Sequence, residues 1–167
     1  MSSAGVPVVS IEHVGSTAVP GLAAKPVIDI DIVVREEDVP AASAVLVALG
    51  FEERGEQGIP QRWAFGAPSD LPRTHTYVVV EGSLGLRNHL AVRDTLRSDP
   101  VLRSDYAAAK REAARTSPEM NAYVAAKNEV VQRILATAGL TSDERDRIAS
   151  QQAPTGPKVT DAAPGRR

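Results

Sequence analysis

Two aspartates alternate with isoleucines in Val27-Ile28-Asp29-Ile30-Asp31-Ile32-Val33-Val34, twelve residues after a Gly15-Ser16 pair. On a strand, residues i and i+2 share a face, so Asp29 and Asp31 project together with Cα atoms about 7 Å apart. A strand edge presenting two carboxylates in this way suits Mg2+ or Mn2+. Such cations take hard oxygen ligands and commonly bind one or two carboxylates together with substrate phosphates. Gly15 would let backbone approach a phosphate closely, and Ser16 adds a hydroxyl and an N–H donor. Lys25 can balance phosphate charge, although a lone lysine before proline is as readily a surface residue. The competing reading of the acids is an amphipathic strand with a solvated acidic face. A buried, unpaired carboxylate would cost several kcal/mol, so the pair needs either water or partners.

The elements that must hold these residues follow from periodicity and punctuation. Val6–His13 is β-branched enough for a short strand running into the Gly15-Ser16 turn. A single helical turn is expected at Leu22–Lys25, ended by Pro26. After the Asp29/Asp31 strand, Pro40–Leu49 reads as a helix with Asp38 as cap and Gly50 as stop. Phe51–Arg54 and Gln61–Phe65 read as short antiparallel strands around a loop, and Thr74–Glu81 as a further strand. Trp63 and Phe65 fit the core better than a base-stacking platform. From Leu86 the pattern turns helical: one helix to Ser98, a second over Pro100–Arg115 with Asp99 as cap, and a third over Pro118–Ala138 closed by Gly139. A weak helix is expected near Asp143–Gln151, and the polar tail 153–167 is expected to be disordered. The layout is α+β, a short mixed sheet backed by C-terminal helices, within one domain over residues 1–140.

The bulk properties narrow the classes of function. At 167 residues with 43% hydrophobic and 24% charged residues, the chain can bury a core and reads as a globular domain. A net charge of -2 gives no basic bias toward nucleic acid. The lack of cysteine excludes disulfides and thiolate chemistry. Neither an export signal nor an apolar run of membrane length is visible, which makes the expected location cytoplasmic.

The stretch Ile11–Val34, with Glu12-His-Val-Gly-Ser-Thr-Ala-Val-Pro-Gly-Leu-Ala-Ala-Lys-Pro-Val-Ile-Asp-Ile30, closely resembles the signature of the GrpB family. Arg73-Thr-His-Thr-Tyr-Val-Val-Val-Glu-Gly-Ser83 and Leu86-Arg-Asn-His-Leu-Ala-Val-Arg-Asp-Thr-Leu-Arg97 also look like GrpB, as does Tyr106-Ala-Ala-Ala-Lys110 with its echo Tyr123-Val-Ala-Ala-Lys127. The resemblance covers roughly residues 8–138. It implies a nucleotidyltransferase-type fold, whose members carry a Gly-Ser turn followed by paired acids on a strand. It also implies nucleotidyl transfer from a nucleoside triphosphate to an unidentified acceptor, with metal on Asp29 and Asp31 and triphosphate on Gly15 and Ser16. Under that resemblance Lys110 and Lys127, each four residues after a tyrosine, would face the cleft and hold phosphates; facing outward they would be solubilising lysines. Of Arg87, His89 and Arg93, at most some can point inward. Two departures stand out. A third carboxylate is usual on a later strand, and Thr74–Val80 supplies only His75 near its start and Glu81 just past its end. The family also usually carries about thirty residues ahead of the signature strand. The alternative function is therefore a non-catalytic nucleotide-binding or accessory module with a degenerate metal site, in keeping with similar domains fused to some dephospho-coenzyme A kinases.

Overall fold

The computed structural model describes residues 5–115 and 121–152, without the side chains of 113, 114, 121–126 and 152. The helix start expected at Ser117-Pro118, the side chain of Tyr123 and the tail 153–167 lie outside the described residues.

Five strands form one mixed sheet. They are β1 (Ser10–Val14), β2 (Ile28–Val34), β3 (Glu52–Glu53), β4 (Arg62–Gly66) and β5 (Thr74–Val80), in the order β1-β2-β5-β4-β3. Only β2 and β5 run parallel; the other neighbours are antiparallel. The acid-bearing strand is therefore not at an edge, as the sequence suggested, but is bonded on both sides. Its run of Ile and Val, apolar on one face throughout, is the pattern an interior strand requires.

The two faces of β2 are covered by different layers. On one side α1 (Val39–Ala48) packs Val39, Ala42 and Leu46 against Val34, Phe65, Val78 and Val80. On the other side α2 (Leu84–Ser98) brings Leu86 onto Val33 and Val79. Behind α2 lie α3 (Pro100–Arg115), α4 (Asn121–Thr137) and α5 (Ser142–Gln152), joined through Leu96, Leu102, Ile134, Leu135 and Ile148. Two of these helices begin on side-chain caps, the expected one at Asp99 and one at Ser83 that the sequence reading did not include. Asp99 Oδ1 accepts from the amides of Val101 and Leu102, and Ser83 Oγ accepts from that of Leu86, starting α2 two residues before the expected Leu86.

One short element falls elsewhere than expected. The helical turn forms at Ser16–Ala18, not at Leu22–Lys25. Leu22 is instead drawn into the helical cluster beside Leu96, Leu102 and Ile134. Burying that side chain outweighs a local turn preference worth only a few tenths of a kcal/mol per residue.

Candidate functional site

Register collects the polar residues on the α2 side of the sheet. Asp29 and Asp31 stand in line with Val33, and their partners on β5 are His75 and Tyr77. On β1 the partners are Val14 for Asp29 and Glu12 for Asp31. Directly opposed residues point to the same face, so Glu12 is a third carboxylate beside the pair, on an earlier strand where the sequence reading did not look. Its signal was present in the alternation Glu12-His13-Val14, which puts Glu12 on one face with Val14, but the neighbour of β1 was not known from it.

Each acid already has a partner. Asp29 Oδ1 lies 2.8 Å from His75 Nδ1, and Asp31 Oδ2 lies 2.7 Å from His89 Nδ1 on α2. Glu12 Oε2 accepts from Arg93 Nη1 at 2.7 Å, and this guanidinium holds the Glu12 carboxyl below the usual glutamate range. Asp31 is wholly buried, which rules out a solvated acidic face, and its Oδ1 has no hydrogen-bond partner among the described residues. Asp29 is half-buried and opens into a cleft of about 340 Å3, lined also by Gly15, Ser16, Tyr77, His89, Tyr106 and Lys127.

The Gly15-Ser16 loop is shaped by its contact with Asp29. Gly15 has φ 73° and ψ -172°, a region open essentially to glycine, and a Cβ there would come within 2.9 Å of Asp29 Cγ. Helix α2 fastens the loop at both ends. Arg93 Nη1 donates to the His13 carbonyl at 3.2 Å, and Arg97 Nε donates to that of Ala18 at 2.8 Å. Nothing in the local pattern marked Arg97 for this task.

Two of the lysines named from sequence, Lys110 and Lys127, meet at the same cleft. Lys110 Nζ donates to Ser16 Oγ at 2.7 Å. Burial, then the nearby charges of Lys127 and Lys25, lower its pKa, while Asp29 opposes them. Lys127 and Lys25 act on the Lys110 ammonium, and together with the serine hydroxyl these cations make a locus for a multivalent anion.

Other named residues are placed differently. Glu81 follows β5 at the far end, six positions beyond His75, hence about 20 Å along the strand from Asp29. It lines a separate pocket with Arg35 and Asp38, so it cannot complete a metal site with the pair. His75 touches Asp29, yet among the described residues no three His, Asp or Glu side chains converge as a metal cluster. Arg87 turns away from the sheet to pair with Glu144 of α5, and the Glu144 carboxyl is thereby lowered to about 2. Trp63 and Phe65 pack in or against the α1 core. His89 was passed over in the sequence as one of three residues sharing a helix, and proves to be the one reaching the buried acid.

By their chemistry the two aspartates could supply at most two hard oxygen ligands to one cation. Asp29 offers carboxylate oxygen to the cleft, and Asp31 Oδ1 is a buried oxygen lacking a partner. With two protein carboxylates, most of the coordination shell would have to come from phosphate and water, as is usual for Mg2+.

Comparison with known proteins shows what the chain is similar to. The family model described as "GrpB protein" matches residues 1–137. The UPF0157 protein YqkA of Bacillus subtilis is 35% identical over 127 residues, covering 75% of this chain but only 37% of its own length. A UPF0157 protein of Streptomyces coelicolor is 38% identical, over 78% of this chain and 69% of its own. A dephospho-CoA kinase of Mycolicibacterium paratuberculosis is 36% identical over 70% of this chain, which spans 35% of that protein. The crystal structure of GrpB from Enterococcus faecalis superposes with a TM-score of 0.64 at 30% identity, covering 78% of this chain and 80% of that one. Among the described residues no helix is long and apolar enough to cross a membrane.

Proposed function

The chain belongs to the GrpB family, and on that footing we propose that its cleft binds a nucleoside triphosphate and transfers the nucleotidyl group to an acceptor. The fold is related to that of nucleotidyltransferases. The observation that carries the proposal is the meeting of Lys110, bonded to Ser16, with Lys127 at the cleft that Asp29 lines, with the charge of Lys25 also felt at Lys110. Phosphates would take the Ser16 hydroxyl and the ammonium groups of Lys110 and Lys127, relieving the repulsion on Lys110. Asp29, with Asp31 behind it, would hold a Mg2+ or Mn2+ ion, which when bound neutralises charge on the phosphates and the leaving pyrophosphate.

His89 then has a defined task. With Nδ1 given to Asp31, its Nε2 carries the lone pair, and the ring lines the cleft. The acceptor oxygen bonds to the α-phosphorus as the α–β phosphoanhydride bond breaks, pyrophosphate leaves, and the acceptor's proton passes to His89 Nε2. Asp31 orients the ring and stabilises the imidazolium that forms.

A second reading is favoured by one observation: each aspartate already bonds an imidazole, and among the described residues no three acidic or histidine side chains converge as a metal site. The site would then be a nucleotide-binding module without turnover, consistent with the match to part of a dephospho-CoA kinase.

Calorimetric titration with the four ribonucleoside triphosphates, with and without Mg2+, tests the shared premise. Binding should require the cation and weaken sharply in Asp29→Asn. No binding under any condition overturns both readings. Binding with no pyrophosphate release across a panel of hydroxyl acceptors leaves the module.

A further inference from the structure

The cleft does not end at the lysines. Past Gly15, His89, Val92, Tyr106 and Lys127 it continues into a second chamber of about 440 Å3. Among the described residues, those found only in this chamber are Ile59, Asn88, Asn128, Val131 and Gln151. They comprise three carboxamides and two aliphatic side chains, with no charge. The charged groups stay at the shared border and in the first chamber.

Asn88 is the informative member. It is buried to nine-tenths on α2, and its Oδ1 has no hydrogen-bond partner among the described residues. A buried carbonyl oxygen left in that state costs free energy unless something brings it a donor. The chamber is the space that Asn88 lines.

We propose that this second chamber receives the nucleobase of the triphosphate whose phosphates occupy the first. The inference rests on the phosphate reading of the Ser16 and lysine locus. A base is flat, neutral and largely apolar, with donors and acceptors along one edge. Aliphatic walls match its faces, and carboxamides, each carrying both a donor and an acceptor, match its edge. Among the described residues a charged acceptor molecule would find no counter-charge there except at the Lys127 border. Asn88 would receive an N–H from the base and so lose its unsatisfied state.

The test compares each of the four ribonucleoside triphosphates with inorganic tripolyphosphate at saturating Mg2+, by calorimetry on the full chain. At least one nucleotide should bind about tenfold more tightly than tripolyphosphate. Asn88→Leu should remove that preference and leave tripolyphosphate binding as it was. Asn128→Ala, a change at a less buried wall, should reduce the preference in the same direction and serves where Asn88→Leu does not fold. If all four nucleotides bind no better than tripolyphosphate, or if the preference survives in a folded variant, the base chamber is wrong while the phosphate site stands. If tripolyphosphate and nucleotides alike fail to bind, the phosphate reading falls and takes this inference with it.

Discussion

Replacing Gly15 with alanine probes the contact on which the candidate site is built. Two separable penalties apply. The first is conformational, since φ 73° with ψ -172° is a region in which an L-residue is strained by about 1–3 kcal/mol. The second is steric, because the new Cβ would lie within 2.9 Å of Asp29 Cγ and closer still to the carboxylate oxygen, so Asp29 must move. Moving it disturbs the 2.8 Å bond to His75, worth about 1 kcal/mol or somewhat more. Together these give a loss of roughly 2–4 kcal/mol, or about 5–15 °C in melting temperature for a domain of this size. Gly21 supplies the control. Its φ of 79° is also positive, but a Cβ there meets nothing within 4 Å, so Gly21→Ala should lose about 1–2 kcal/mol from the backbone alone. Urea unfolding of Gly15→Ala, Asp29→Ala and the double variant then isolates the steric part. Removing the carboxylate frees the space, so the double variant should be more stable than the sum of the single losses by about 1–2 kcal/mol. If Gly15→Ala behaves like Gly21→Ala and adds simply to Asp29→Ala, Asp29 does not press on Gly15 and the loop is not shaped by the acid.

Three further outcomes follow from the same geometry. Lys110→Met should weaken triphosphate binding on the order of tenfold by removing a charge-assisted hydrogen bond; calorimetry reads this, and the ligand-free protein should be no less stable because a desolvated, repelled charge has gone. Glu12 has a folded pKa below its unfolded value, so its bond to Arg93 contributes stability that is full above the ordinary glutamate pKa and disappears as pH falls through the depressed one; urea midpoints of wild type and Glu12→Gln should differ at neutral pH and converge in acid, and a gap that widens in acid refutes the assignment. Arg97→Leu should release the Ala18 carbonyl and loosen the Ser16–Ala18 turn, seen as faster amide exchange there and weaker triphosphate binding, while the sheet amides stay protected.

The sheet was largely legible because its strands carry their own evidence. Ile28–Val34 and Thr74–Val80 are long, β-branched and bounded by turn residues, and Asp99-Pro100 marks a helix start by a mechanism that is local in sequence. The failures are where long-range packing decides. The turn expected at Leu22–Lys25 gives way to one at Ser16–Ala18, because Leu22 is needed as a core residue against helices that begin more than sixty positions later. The strand expected over Phe51–Arg54 shrinks to Glu52–Glu53, with Phe51 packed against the α1 core.

The site shows the same division more sharply. Period-two alternation is enough to say that Asp29 and Asp31 share a face, but not what lies across from them. Pairing of β2 with both β1 and β5 is a property of the whole sheet, and it decides that Asp31 is enclosed while Asp29 reaches the cleft. From spacing alone the two acids are equivalent ligands; in the fold they are not. Asp31 sits 58 positions before the His89 that caps it, a separation no local motif encodes. A carboxylate so buried is retained at a cost of several kcal/mol unless its partners compensate. One oxygen has the imidazole, and the other has nothing among the described residues. That imbalance makes Asp31, rather than the more accessible Asp29, the residue whose chemistry is incomplete without a ligand. If Mg2+ with triphosphate completes it, Asp31→Asn should lose cation dependence. If Asp31 serves only to hold His89, the same variant should keep cation-dependent binding and lose turnover alone.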